Sequence, residues 1–230
     1  MQEDNFSNYL SSSSTKKVVF NTFVKNDYLT NRAYKTLRDN VFFYGQGVKT
    51  IVITSSNVSD GKSTVSTELV RSFADAGKKA LLIDCDMRKS VMLKNSTRPE
   101  NVKGISDVLL GFEKIEDVLY KTQDENFDVI FSGRFPPSPI ELIGNGKLQD
   151  ILKQLSTNYD YIVIDSPPLG VEIDAAVIAS YCDGAIIVIS NHKISKESVI
   201  NMREQLHKSG CKILGVVYNE TDKKASKYNY

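Results

Sequence analysis

The chain contains no tryptophan, only two histidines and three cysteines, and no excess charge of either sign. Each absence removes a class of function. Cys85, Cys182 and Cys211 form no CxxC pair and no ligand spacing with His192 or His207. That excludes the usual zinc modules and predicts reduced thiols packed as small apolar groups. The 29 lysines and arginines balance 28 aspartates and glutamates, so no global field draws the protein to nucleic acid or anionic lipid. No apolar run reaches the roughly 18 residues that a membrane helix needs, and no leader pattern is present. A cytoplasmic protein is expected, one that would reach a membrane only through a partner.

What is present points to one large α/β domain, since 230 residues suffice to bury a substantial core. Residues 1 to 27 are polar, carry the serine run Ser11 to Ser14, and read as a mobile arm. Ala33, Leu37, Val41 and Tyr44 recur at helical spacing before Gly45 and Gly47, predicting an amphipathic helix over Thr30 to Tyr44. Short runs rich in Ile, Val and Leu follow: Ile51 to Thr54, Ala80 to Asp84, Asp128 to Ser132, Tyr161 to Asp165, Ala185 to Ser190 and Lys212 to Tyr218. Segments of crossover-helix length separate them, notably Val65 to Ala76, Leu148 to Leu155, Asp174 to Tyr181 and Ser198 to Lys208. Strands apolar on both faces and alternating with helices predict a doubly wound, mainly parallel sheet, with ligands at the carboxyl ends of its strands. The domain is placed at 28–219, followed by a loose tail from 220 to 230.

The most informative stretch runs from Thr54 to Thr64, directly after the first of these strands, and contains Gly61-Lys62-Ser63-Thr64. A phosphate-binding loop needs a buried strand, a turn with inward amides, a lysine for the β/γ oxygens and a hydroxyl for Mg²⁺. All four are present, with the next helix aiming its N-terminal dipole at the anion. Ser59 through Thr64 are the expected nucleotide contacts: Ser59, Asp60, Gly61, Lys62, Ser63 and Thr64. Ser56 stands where the usual pattern has its first glycine.

Carboxylates at two other strand ends complete the candidate site. Asp84 and Asp86 follow Leu81-Leu82-Ile83, two residues apart, so both can face one crevice. Asp165 ends Tyr161-Ile162-Val163-Ile164 in the manner of a Walker B element, where a carboxylate holds Mg²⁺. Phosphoryl transfer asks for cations on the β/γ oxygens and a group that orients the attacking oxygen. Lys62, Ser63 and Asp165 supply the first. Of Asp84 and Asp86, one would accept the proton of the attacking hydroxyl and the other would hold a magnesium-bound water; spacing does not assign them. Arg88 would stabilise phosphate charge.

These motifs resemble the bacterial tyrosine kinases of capsule and exopolysaccharide synthesis. That family carries a TSxxPGxGKST loop, an [ILV]IDxDxR element, a strand ending D[ST]PP and a PP[NS]PxELI segment; here they fall at Thr54 to Thr64, Leu82 to Arg88, Ile162 to Pro168 and Pro136 to Ile143. The resemblance covers about Thr30 to Asn219. It implies a P-loop NTPase fold of the deviant-Walker, SIMIBI-like type and an ATP- and Mg²⁺-dependent tyrosine kinase. Lys62 would contact phosphate, Ser63 and Asp165 would bind Mg²⁺, Asp84 would activate the tyrosine hydroxyl, Asp86 would hold magnesium water and Asn219 would meet adenine. It further implies a homo-oligomer, autophosphorylation of a tyrosine-bearing tail, here Tyr228 and Tyr230, and a membrane co-polymerase partner whose cytosolic tail brings the kinase to the inner membrane face.

The chain departs from the family at several points. Val58 and Ser59 replace Pro-Gly, Ser90 replaces a proline, and Arg32, Lys35 and Arg38 stand where the family's first helix reads ExxRxxR. A like-charged helix face predicts a weaker oligomer. Two alternatives share the fold: a nucleotide-switched ATPase of the cell-division and DNA-partition type, whose signature lysine is replaced here by Asn57, and an ATP-binding regulator without kinase activity.

Overall fold

The computed structural model describes residues 16–19, 27–92, 96, 102–190 and 195–219. Among them, eight strands form one sheet: β1 (Lys16–Lys17), β2 (Thr50–Ser55), β3 (Ala80–Asp84), β4 (Tyr120–Lys121), β5 (Phe127–Ile130), β6 (Tyr161–Asp165), β7 (Gly184–Ile189) and β8 (Lys212–Tyr218). The helices are α1 (Tyr28–Tyr44), α2 (Lys62–Asp75), α3 (Ile105–Leu109), α4 (Pro139–Gly144), α5 (Lys147–Leu155), α6 (Asp174–Ala179) and α7 (Lys196–Lys208). The strand order is β1-β4-β5-β3-β6-β2-β7-β8, parallel throughout except for the β4–β5 pair.

The alternation of side chains along the central strands explains why those strands read as continuous apolar runs. Ile51, Ile53, Leu82 and Val163 point to one face, where they meet Val65, Leu69 and Phe73 of α2. Val52, Leu81, Ile83, Ile162 and Ile164 point to the other, against Leu142, Leu148, Leu152 and Ile178. Both faces are covered, so neither can be polar. The chain steps from β2 past β6 to β3, and later returns from β6 across β2 to β7. Crossovers on opposite faces open a crevice at the carboxyl ends of β2, β6 and β3.

Helix α1 starts at Asp27, whose carboxylate accepts from the Thr30 amide at 3.0 Å, and ends where the Gly45 amide meets the Val41 carbonyl at 2.8 Å. Its inward face is narrower than its spacing predicts: Val41 is buried and Leu37 half-buried, while Ala33 and Tyr44 are exposed. Phe42 supplies the missing contact. Its ring lies 5.7 Å from Phe73 and 5.6 Å from Tyr161, and these two stack at 4.2 Å with planes 7° apart. The three rings join α1, α2 and β6.

Two elements differ from the sequence reading. Lys16–Lys17, assigned to a mobile arm, pair in parallel with Tyr120–Lys121, and Val18 is buried beside them. A two-residue strand carries too little periodicity to register, and one valine anchors it. Tyr120–Lys121 was also missed; it runs antiparallel to β5 and lies between β5 and the edge strand β1. The tail from 220 to 230 lies outside the described residues. Among those described, no helix is long and apolar enough to cross a membrane.

Phe73→Ala should destabilise the domain by about 3–5 kcal/mol, since it removes the ring at the centre of this stack. Phe43→Ala, one position from Phe42 and 76% exposed, should stay within about 0.5 kcal/mol. Urea unfolding of the two variants checks the contrast; equal losses would contradict it.

Candidate active site

The loop after β2 is closed by its own side chains. The Ser55 hydroxyl donates to the Asn57 carbonyl at 2.7 Å, and the Asn57 amide donates to Asp60 Oδ2 at 2.8 Å. From the end of β7, Ser190 Oγ donates to Asp60 Oδ1 at 2.8 Å, and Asn219 Nδ2 donates to the Asp60 carbonyl at 3.1 Å. Asp60 was expected to contact nucleotide. Both of its carboxylate oxygens face the protein and it is 1% exposed, so its side chain braces the loop and only its main chain is left to face a nucleotide. Ser190 has the same function and was missed, although its place at a strand end was a signal. Ser59 and Gly61 both take left-handed backbone, with φ of 71° and 91°. For Ser59 that conformation is strained; for Gly61 it is free, and only glycine fits, because a Cβ would lie 2.0 Å from Asn219 Nδ2. Helix α2 begins at the next residue, with its first amides facing the crevice.

The strand register brings the carboxylates together. Asp165 sits opposite Ile53 on one side and Asp84 on the other, at the ends of three buried strands. Ser63 Oγ donates to Asp165 Oδ2 at 2.5 Å, and the Ser66 hydroxyl is shared between the Lys62 carbonyl at 2.9 Å and Asp165 Oδ1 at 3.3 Å. Ser66 was also missed, though it lies three residues after Ser63 and so on the same helix face. Asp84 Oδ1 accepts from the Asp86 amide at 3.0 Å, and Asp84 Oδ2 accepts a short hydrogen bond from the Ser90 hydroxyl. Asp86 turns the chain by accepting the Arg88 and Lys89 amides on Oδ1, at 3.2 and 2.9 Å.

Burial governs the charge state of this pair. It raises Asp165 to about 6, against the opposing pull of Lys62 and the Ser63 hydrogen bond. Burial, and then the neighbouring Asp165, hold Asp84 well above the usual carboxylate range despite its two hydrogen bonds. Two carboxylates with almost no water and one lysine form a site short of positive charge. Among the described residues no group of three or more His, Cys, Asp and Glu side chains makes a metal cage by itself. Ser63, Asp165 and Asp86 nevertheless offer hard oxygen donors, the set suited to a magnesium ion that takes its remaining ligands from phosphate and water.

In front of the loop lies a cavity of about 700 Å³, lined by Gly61, Lys62, Ser63, Asp86, Lys89 and Asn219, with Val58, Val91 and Val171 as apolar walls. Arg88 also lines it, but its guanidinium is engaged. Nε meets Asp174 Oδ2 at 2.8 Å, a terminal nitrogen meets Asp174 Oδ1 at 3.2 Å, and Glu172 lies 3.4 Å away. Asp174 is buried, so releasing the arginine would strand a carboxylate without water. The Arg88 guanidinium, expected to stabilise phosphate, here ties the loop after β3 to Glu172 and Asp174 after β6. Tyr228 and Tyr230 lie outside the described residues.

Residues 48–213 match the family described as AAA domain. Tyrosine-protein kinase CpsD of Streptococcus agalactiae is 37% identical over 199 residues, covering 86% of this chain and 87% of that protein. Among solved structures, the kinase domain of the Escherichia coli tyrosine kinase ETK superposes with a TM-score of 0.80 at 28% identity, over 87% of this chain and 79% of that one. The septum site-determining protein MinD of Pyrococcus horikoshii, solved with Mg-ADP, gives a TM-score of 0.63 at 26% identity over 78% and 76%. The division-ATPase alternative is the poorer match in both fold and coverage. With 37% identity over an alignment that spans most of both chains, this chain belongs to the bacterial tyrosine-protein kinases, built on the AAA domain.

Proposed function

We propose that this kinase transfers the γ-phosphoryl group of magnesium-bound ATP to tyrosine hydroxyls, as part of the control of capsular or exopolysaccharide synthesis. The observation that carries this reading is the convergence of Ser63 and Ser66 on buried Asp165, in register with Asp84, at the start of α2. Bound there, magnesium would neutralise phosphate charge. Ser63, Asp165 and Asp86 would hold it. Lys62, 7% exposed at the head of α2, would meet the β/γ oxygens, with the amides of Ser59 through Thr64 around the phosphates and Asn219 beside the base. Asp84 would take the proton of the acceptor hydroxyl.

The kinase unit is assigned to 28–219, with β1 as an added edge, and the membrane partner is a co-polymerase whose cytosolic tail docks near the nucleotide cavity. A homo-oligomer is expected, held less firmly through α1 than in a glutamate-bearing helix. Arg38 supports this reading, because it turns inward to Asp39 and to the Ser72 carbonyl of its own chain. The acceptors are assigned to Tyr228 and Tyr230. Buried Tyr159 is excluded as an acceptor, since its hydroxyl donates to Asp128 at 2.6 Å, whereas Tyr28 and Tyr218, 76% and 53% exposed, are reserve acceptors.

Lys62→Met should lower tyrosine phosphorylation by about 10²-fold or more with an unchanged circular-dichroism spectrum, because the lysine meets charge that grows in the transition state. Wild-type turnover in that variant would overturn the site. Mass spectrometry of ATP-treated protein should find phosphate on Tyr228 or Tyr230; full peptide coverage of that region without phosphate would overturn the tail as acceptor.

The carboxylate pair also sets a pH dependence. The folded state holds the Asp165 proton more tightly than the unfolded chain does, about 6 against 3.8, so its contribution to stability is present at low pH and is lost as pH rises through about 6. Without metal, the melting temperature should gain more on moving from pH 7.5 to 5.5 in the wild type than in Asp165→Asn. Mg-ADP should erase the difference. A wild-type gain no larger than that of Asp165→Asn in EDTA would contradict the assignment.

A further inference from the structure

Three exposed valines line a cavity that is otherwise made for charge: Val58, Val91 and Val171. Apolar side chains left open to water around a phosphate site call for an apolar occupant. All three are presented by fastened backbone. Val58 stands in the phosphate loop, which Ser55, Asn57 and Asp60 close among themselves. Met92, next to Val91, is fully buried in the core. Val171 sits in a turn whose Val171 and Glu172 amides both donate to the Pro168 carbonyl, at 3.0 and 2.9 Å. That turn is seated on the phosphate loop, since a Cβ on Gly170 would lie 2.1 Å from the Ser56 carbonyl oxygen. Arg88, bound to Glu172 and Asp174, then ties the segment bearing Val91 to the turn bearing Val171.

In-line transfer fixes where an acceptor must stand. The attacking and leaving oxygens lie on opposite sides of the γ-phosphorus, so the acceptor enters from the end of the cavity away from the base. The strand order supplies that end. Asn219, beside which the base is assigned, follows β8 on one side of β2, whereas Val91 and Val171 follow β3 and β6 on the other. We propose that Val91 and Val171, with Val58 at the phosphate loop, form the slot that takes the ring of the acceptor tyrosine. The inference rests on the kinase reading and adds specificity-determining residues to it. Tyrosine suits such a slot because its hydroxyl stands at the far end of a flat apolar ring, which contacts the valines while the hydroxyl reaches toward the phosphate. Serine and threonine carry their hydroxyl on Cβ and have no ring. To reach the same phosphate they would bring backbone amides against apolar walls that offer no hydrogen bond. The slot therefore selects the acceptor as well as placing it.

The experiment measures phosphorylation, with ATP and Mg²⁺, of a soluble peptide whose one tyrosine is flanked by polar residues, and of the same peptide with serine in its place. Wild type is compared with Val91→Ser/Val171→Ser, with Val91→Ile/Val171→Ile, and with Ile173→Ser, an exposed apolar neighbour that is not part of the cavity wall. The serine pair should raise the KM for the tyrosine peptide about tenfold while the KM for ATP stays within about twofold. The isoleucine pair should keep the peptide KM within about threefold of wild type, and Ile173→Ser should match wild type. Wild type should phosphorylate the tyrosine peptide and leave the serine peptide unmodified. If the serine pair does not fold, the single changes Val91→Ser and Val171→Ser decide, each raising the peptide KM about threefold. An unchanged peptide KM, a rise in the KM for ATP as large as that for the peptide, or an Ile173→Ser loss equal to that of the serine pair would overturn the slot and leave the kinase reading standing. Absence of any phosphotyrosine from wild type would overturn both.

Discussion

Two carboxylates pressed together with almost no water set the terms for everything around them. Asp84 and Asp165 face each other at the ends of β3 and β6, and burial raises both. Ionising both there is unfavourable unless positive charge and hydrogen-bond donors lie close by. The surrounding sequence supplies these one at a time: Lys62, Ser63 and Ser66 from α2, the Asp86 amide from the chain's own next turn, and Ser90 from the far side of that turn. The parallel sheet exists in this form so that three strand ends can meet at one place. The hydrophobic faces of α2 and α4 to α6 hold those strands flat against solvent entry.

Most of the architecture was legible because buried parallel strands leave little choice of residue. Ala80–Asp84, Tyr161–Asp165 and Lys212–Tyr218 begin and end where their apolar runs do. The elements that escaped, β1 and β4, are two residues long, and their pairing is a tertiary fact: nothing local in Lys16–Lys17 names Tyr120–Lys121 as its partner. The same division holds within the site. Gly61, Lys62, Ser63, Asp84 and Asp165 could be found because each stands at a strand end or helix start. The directions of Asp60 and Arg88 could not. Asp60 belongs to the loop motif, but Ser190, 130 residues away, helps decide that it points inward. Arg88 belongs to the DxDxR element, but buried Asp174, 86 residues on, takes the Nε edge of its guanidinium with both carboxylate oxygens.

These two ties share a logic. Each uses a buried carboxylate to fasten a loop that contacts the cavity to another element, Asp60 to β7 and Asp174 to the loop after β3. Rigid loops can hold donors in place before charge arrives, which is where electrostatic preorganisation draws its effect. Ser59 adds a strained residue to the same loop, kept in left-handed backbone by the fastenings on either side.

The fit between Gly61 and Asn219 carries a mechanical consequence. Asn219 follows directly after β8, the last strand at its edge of the sheet, and is fixed there by its amide to the Ile189 carbonyl at 2.7 Å. Its side chain fills the space that a Cβ on Gly61 would need. The phosphate loop and the outermost strand are thus geared, like a pawl against a tooth. Exposed Val216 and Tyr218 lie on that strand, so the loop around Gly61 is packed against an element whose other contacts face solvent, and a change of side chain at either Asn219 or Gly61 must be met by the other.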